Sequence, residues 1–104
     1  MAWLILFFAG IFEVIWAYFM KQSQGFTLLG PSIITLICMV ASVVLLAISM
    51  KSLPLGTAYT IWTGIGAIGA FLVGLFLLGE PANMLRLMAA LLIISGLLLM
   101  KIAS

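Results

Sequence analysis

Glu13 is the residue best placed in this sequence to do chemistry, and it stands where a charge is hardest to keep. It lies in the stretch Gly10-Ile11-Phe12-Glu13-Val14-Ile15-Trp16-Ala17, inside an apolar run from Trp3 to Met20. A run of that length is close to the ~20 residues that carry a helix across a bilayer. A carboxylate at such depth costs about 2.5–3.5 kcal/mol by the lower estimates, so it faces a protein interior or an aqueous cavity and marks an ion or substrate path by default. No Lys or Arg lies within two helical turns of it. The plainer alternative is an ion pair with a base brought from elsewhere in the fold, but all four bases fall near the ends of apolar segments.

Glu13 has company at helical spacing. Gly10, Glu13, Trp16 and Ala17 share one face, so small residues leave room beside the carboxylate, and Trp16 offers a ring face and an indole donor one turn on. Trp16 can also be read as a membrane-interface anchor, a role that suits Trp3 better because Trp3 sits at the end of the run. Thr35, Ser42 and Ser49 recur every seventh residue and form a stripe on a second segment, with Ser42 near its centre. Hydroxyls in such segments often bond their own backbone or join helices. Tyr59, Trp62, Thr63 and Gly66 share a face of a third segment, and Gly64, Gly66 and Gly69 follow one another there. Those glycines permit a kink or close packing of helices.

The elements that must position these residues are membrane helices. Of 104 residues, 67% are hydrophobic, only four are basic and two acidic, and the mean hydropathy is +1.50. A soluble domain of this size cannot bury so much apolar surface, and the long unalternating runs exclude a membrane β-barrel. The net charge of +2 is too small and dispersed for nucleic acid. Histidine is absent and the one cysteine, Cys38, lies in an apolar run, which leaves no metal cluster, no cofactor site and no nucleophile–base pair for an enzyme. With no basic segment before the first run, and Glu13 within it, that run reads as a retained span rather than a cleaved signal.

Four spans are expected, over residues 3–20, 31–50, 57–78 and 85–100, in a single transmembrane domain, 1–104. The fold class is an all-α integral membrane protein. Lys21 and Arg86 fall on one side of the membrane, Lys51 and Lys101 on the other. Because an excess of Lys and Arg sets orientation, this balance predicts insertion both ways round and pairing with an inverted copy, an antiparallel homodimer. The fourth segment carries Ala89 and Gly96 seven apart, small residues suited to packing between the two copies. Glu80 and Arg86 read as solvated or paired charges at a membrane edge.

Over essentially its whole length the chain resembles the small multidrug resistance family, in its four spans, the single glutamate of the first, and Ala58-Tyr59-Thr60-Ile61-Trp62 with the glycines that follow. Within that family it is most similar to the guanidinium exporters, through Phe12-Glu13-Val14-Ile15-Trp16-Ala17, Leu53-Pro54-Leu55-Gly56-Thr57-Ala58-Tyr59 and Trp62-Thr63-Gly64-Ile65-Gly66-Ala67. It departs at Thr60, where the resemblance leads one to expect Ala, and in an unusually aromatic first span with Phe7, Phe8, Tyr18 and Phe19. The resemblance implies a dual-topology homodimer in the bacterial inner membrane. It implies that Glu13 binds proton and substrate in turn, that Trp16, Ser42, Tyr59 and Trp62 line the pocket, and that Gly64 and Gly66 lie where the third helix bends. Guanidinium presents N–H donors in a planar fork that matches a carboxylate, with Ser42 expected to help orient Glu13 and the indoles to offer ring faces. The nearest rival is an exporter of quaternary ammonium or hydrophobic cations, which lack such donors. More distant ones are a subunit needing a partner protein and a passive cation channel.

Overall fold

The computed structural model describes residues 1–103 as four helices joined by short turns. They are α1 (Ala2–Gln22), α2 (Leu29–Ser49), α3 (Leu55–Phe76) and α4 (Met84–Ala103). Each is long and apolar enough to cross a membrane.

Local chemistry sets where each helix starts and stops. α1 outruns its apolar stretch through Lys21 and Gln22, since polar side chains do not interrupt the backbone ladder. It ends at Ser23, whose hydroxyl donates to the Met20 carbonyl at 2.6 Å and accepts the Phe26 N–H at 3.0 Å. Gln24, Gly25 and Phe26 then take φ of 51°, 74° and 67° in succession, a left-handed stretch that no right-handed helix continues through. α2 starts at Leu29, earlier than Pro31, because a first-turn proline gives up an N–H that has no helical partner anyway. Pro54 caps α3 in extended conformation and its carbonyl accepts the Ala58 N–H at 2.9 Å. At the start of α4, Asn83 Oδ1 accepts the Arg86 backbone N–H at 2.9 Å, a side-chain cap.

α1 is the central helix. α2 packs along one flank and α3 along the other, α2 and α3 barely meet, and α4 packs on α3. The result is a slab of 40 × 35 × 16 Å, little thicker than one helix with its side chains, about 10–12 Å. The buried apolar core, Leu6, Ala9, Leu46, Ala58 and Ile61, lies towards the end where α1 begins. At that end Lys101 Nζ sits 4.5 Å from the centre of the Trp3 ring, a cation–π contact tying the end of α4 to the start of α1. Met50 and Leu53 pack on the same core as Trp3, so Lys51 belongs to this end too. Lys21 and Glu80 line one cleft at the opposite end, where Arg86 pairs with Glu80.

The α1–α3 contact is a glycine seam. A Cβ built on Gly66 would collide with the Glu13 carboxyl group, one on Gly69 with Val14, and one on Gly10 with Ile65. Gly64 faces the other way, and a Cβ there would strike Leu97 of α4. α3 runs unbroken through all of them.

Candidate cation site at the middle of the helices

Glu13 lies near the midpoint of α1 and Gly66 near the midpoint of α3, so their contact falls about halfway across the four helices. Glycine is needed there because the carboxyl group occupies the space a Cβ would take. Glu13 Oε2 is shielded and has no hydrogen-bond partner. One turn on, Trp16 Nε1 is likewise shielded and unpartnered. Most buried polar groups are satisfied, so an unspent acceptor and an unspent donor on one helix face make this the candidate site. The ion pair found among the described residues is Arg86–Glu80, 3.4 Å apart at a membrane edge; Glu13 forms none.

The hydroxyl stripe of α2 divides by partner. Thr35, Ser42 and Ser49 are all fully buried. Thr35 and Ser49 donate within their own helix, to Pro31 and Leu46 carbonyls at 2.8 and 2.7 Å. Ser42 instead donates to the Ala9 carbonyl of α1 at 2.6 Å and accepts the Trp62 indole N–H at 2.9 Å. One hydroxyl thus joins three helices, and bonds of this kind are worth about 0.6–2 kcal/mol each in a bilayer. The direct orienting of Glu13 expected of Ser42 is not what this arrangement has. Its single proton is spent on Ala9, and Ser42 instead holds the α1 backbone one turn before Glu13. The Ala9 carbonyl is the participant that sequence reasoning missed, and a backbone atom leaves no trace in side-chain patterning.

The face of α3 read as continuous is shared between a packed contact and a groove. Trp62 and Gly66 turn towards α2 and α1. Tyr59 and Thr63, with Thr60 and Gly64, line a groove of about 500 Å³ against Gly96 and Leu97 of α4. Tyr59, at the edge of this groove, also meets Trp62, its ring 5.5 Å from the indole and tilted by 56°, while more than half of the residue stays exposed. Ala89 lines a smaller groove nearer Arg86. α4 has no buried residue at all. The structure therefore gathers Glu13, Gly66, Ser42 and Trp62 around α1, keeps Trp16 on the Glu13 helix, and leaves Gly64, Tyr59, Ala89 and Gly96 on the α3–α4 side.

A lone carboxyl group in this setting can hold a proton or a cation. Residues 1–94 match the family described as Small Multidrug Resistance protein. A protein of Yersinia pseudotuberculosis named guanidinium exporter is 57% identical over the full length of both chains. Proteins of the same name are 51% identical in Escherichia coli K12, over the whole of this chain and 99% of the relative, and 49% identical in Proteus vulgaris, over the whole of both. Four spans and such relatives make this a multi-pass protein of the bacterial inner membrane. The chain belongs to the Small Multidrug Resistance protein family.

Proposed function

We propose that this protein exports guanidinium across the inner membrane in exchange for protons, with Glu13 of each subunit of an antiparallel homodimer holding cation and proton in turn. The observation that carries the reading is the shielded, unpartnered Glu13 oxygen midway along the helices. A carboxylate offers two acceptors to the guanidinium fork, and relatives named guanidinium exporters align with the chain from end to end. Trp16 and Trp62 supply ring faces, Tyr59 lines the way in, and Ser42 keeps α1 and Trp62 in register. Proton and cation compete for one group, so acidity on either side lowers guanidinium occupancy from that side, and inward proton flow drives the cation out.

A thin slab, 16 Å across its shortest dimension, supports a second copy closing over the site. The two-against-two charge balance favours an inverted partner, a common plan among transporters. Ala89 and Gly96 on the uncovered α4 are where the copies pack, and α3 flexes at Gly64 and Gly66 as access changes sides.

Proteoliposomes with a guanidinium gradient test the exchange. The expected result is a guanidinium-dependent current with opposite proton movement. A response only to a tetraalkylammonium ion would transfer the protein to quaternary ammonium export. Guanidinium flux without protons would make it a channel, and silence from dimeric protein would overturn the reading. Lysines added to the turns on the Lys21 and Arg86 side are expected to trap one orientation, inactive alone and restored by an oppositely biased copy. Full activity of a singly biased form, with no inverted copies present, would sink the antiparallel arrangement.

A further inference from the structure

A second carboxylate rests on a glycine of α3, as Glu13 does. Glu80 folds back from the α3–α4 turn, its N–H bonded to the Gly74 carbonyl at 3.0 Å. Its carboxyl group rests so closely on Gly74 that a Cβ there would collide with it, as one on Gly66 would with Glu13. Gly66, Gly69, Ala70, Val73 and Gly74 recur at i, i+3, i+4, i+7 and i+8, a single stripe of α3. The two carboxylates therefore lie against one track, about 12 Å apart along the helix. On the Glu80 side of that track is a cleft of about 180 Å³ bounded by Val14 and Lys21 of α1, Ala70 and Gly74 of α3, and Glu80. Val14, the residue after Glu13, meets Gly69 at its inner end.

Glu80 already holds a guanidinium group, that of Arg86, the chain's only arginine. Arg86 Nη2 is 3.4 Å from Glu80 Oε1, and Nη1 donates to the Pro81 carbonyl at 2.7 Å. The group lies over the Phe71 ring, 5.2 Å from its centre. A carboxylate, a carbonyl and a ring face are the set that recognises a planar N–H cation. Both charged side chains are partly open to water, at 34% and 42% exposure, so the pair is weakly held and readily exchanged.

We propose that Glu80, the Pro81 carbonyl and the Phe71 ring form a surface guanidinium site, with Arg86 as its resting occupant, where the α1–α3 cleft lined by Glu80 borders the α3–α4 groove lined by Phe71 and Arg86. The proposal rests on guanidinium being the transported cation. Free guanidinium displaces the Arg86 side chain and is concentrated where the cleft opens. Lys21 on the rim adds a like charge that keeps its stay short.

The test follows the single arginine by NMR in full-length protein with ¹⁵N-labelled arginine in lipid nanodiscs. Guanidinium chloride is titrated against tetramethylammonium chloride at equal ionic strength. The expected result is a saturable shift of the Arg86 side-chain signal with guanidinium alone, kept in Glu13→Gln and lost in Glu80→Gln. In transport, Glu80→Gln is expected to raise the guanidinium KM about two- to fivefold, the worth of an exposed ion pair. An equal shift with tetramethylammonium, no shift, or a shift surviving in Glu80→Gln would overturn the site. Guanidinium transport without the Glu80-dependent shift sinks this site and leaves the transport reading standing. The shift without any guanidinium transport does the reverse.

Discussion

A Glu13→Gln protein is expected to lose guanidinium transport and the proton movement coupled to it, while folding as well as the parent. The amide has the shape of the carboxyl group, so the fit against Gly66 is kept. Glu13 Oε2 has no hydrogen-bond partner to lose. What disappears is the charge and the proton site. Each charge-assisted hydrogen bond to guanidinium is worth about 1.5–3 kcal/mol, so losing a bidentate pair lowers affinity by at least about a hundredfold. Reconstituted transport, read beside thermal unfolding of the same detergent-solubilised sample, separates lost function from lost fold. Proton-coupled flux persisting in Glu13→Gln would remove Glu13 from the centre of the mechanism.

The second large effect is expected at Gly66→Ala. Its methyl group would enter the space of the Glu13 carboxyl group. Either α1 and α3 separate or the carboxyl group swings away, and overfilling of this kind costs about 1–3 kcal/mol, more than the roughly 0.5–1 kcal/mol that alanine gains over glycine in a helix. Misplacing a binding group by an ångström costs on the order of a hundredfold in well-aligned sites, so transport at low guanidinium is expected to fall about ten- to a hundredfold. Two companions give the comparison meaning. Gly56→Ala, with nothing within 4 Å of the new methyl, is expected to transport normally. Gly69→Ala strikes Val14 instead and disturbs the seam without touching the carboxyl group. Equal transport losses at Gly66 and Gly69 would show that helix spacing, rather than the placement of Glu13, limits the rate.

The helices were legible because an apolar run of about 20 residues has little choice but to be one. Their ends were less so. Lys21 and Gln22 look like a stop yet remain helical, and the real stop is the left-handed run at Gln24, Gly25 and Phe26, where only Gly25 announces itself. The depth of Glu13 could be counted along its run. What surrounds it could not, because the decisive contacts join residues far apart in the chain. The three hydroxyls of α2 look alike in sequence, and only Ser42 lies opposite a carbonyl of another helix. The glycines of α3 likewise read as one motif, yet Gly66 admits a carboxyl group from α1 and Gly64 a leucine from α4.

The packing order of the helices bears on how the chain enters its membrane. α1 closes on α2 and α3 on α4, each pair made of consecutive segments joined by a short turn. The hydroxyls of Thr35 and Ser49 are satisfied inside α2 itself, so they need no neighbour to enter lipid. Each hairpin can thus leave the ribosome and settle in the bilayer as a unit before the other is made. What joins them is the glycine seam of α1 and α3 and the bond from the Trp62 indole to the Ser42 hydroxyl. The Glu13 carboxyl group gains its cover from Gly66 only where the two halves meet.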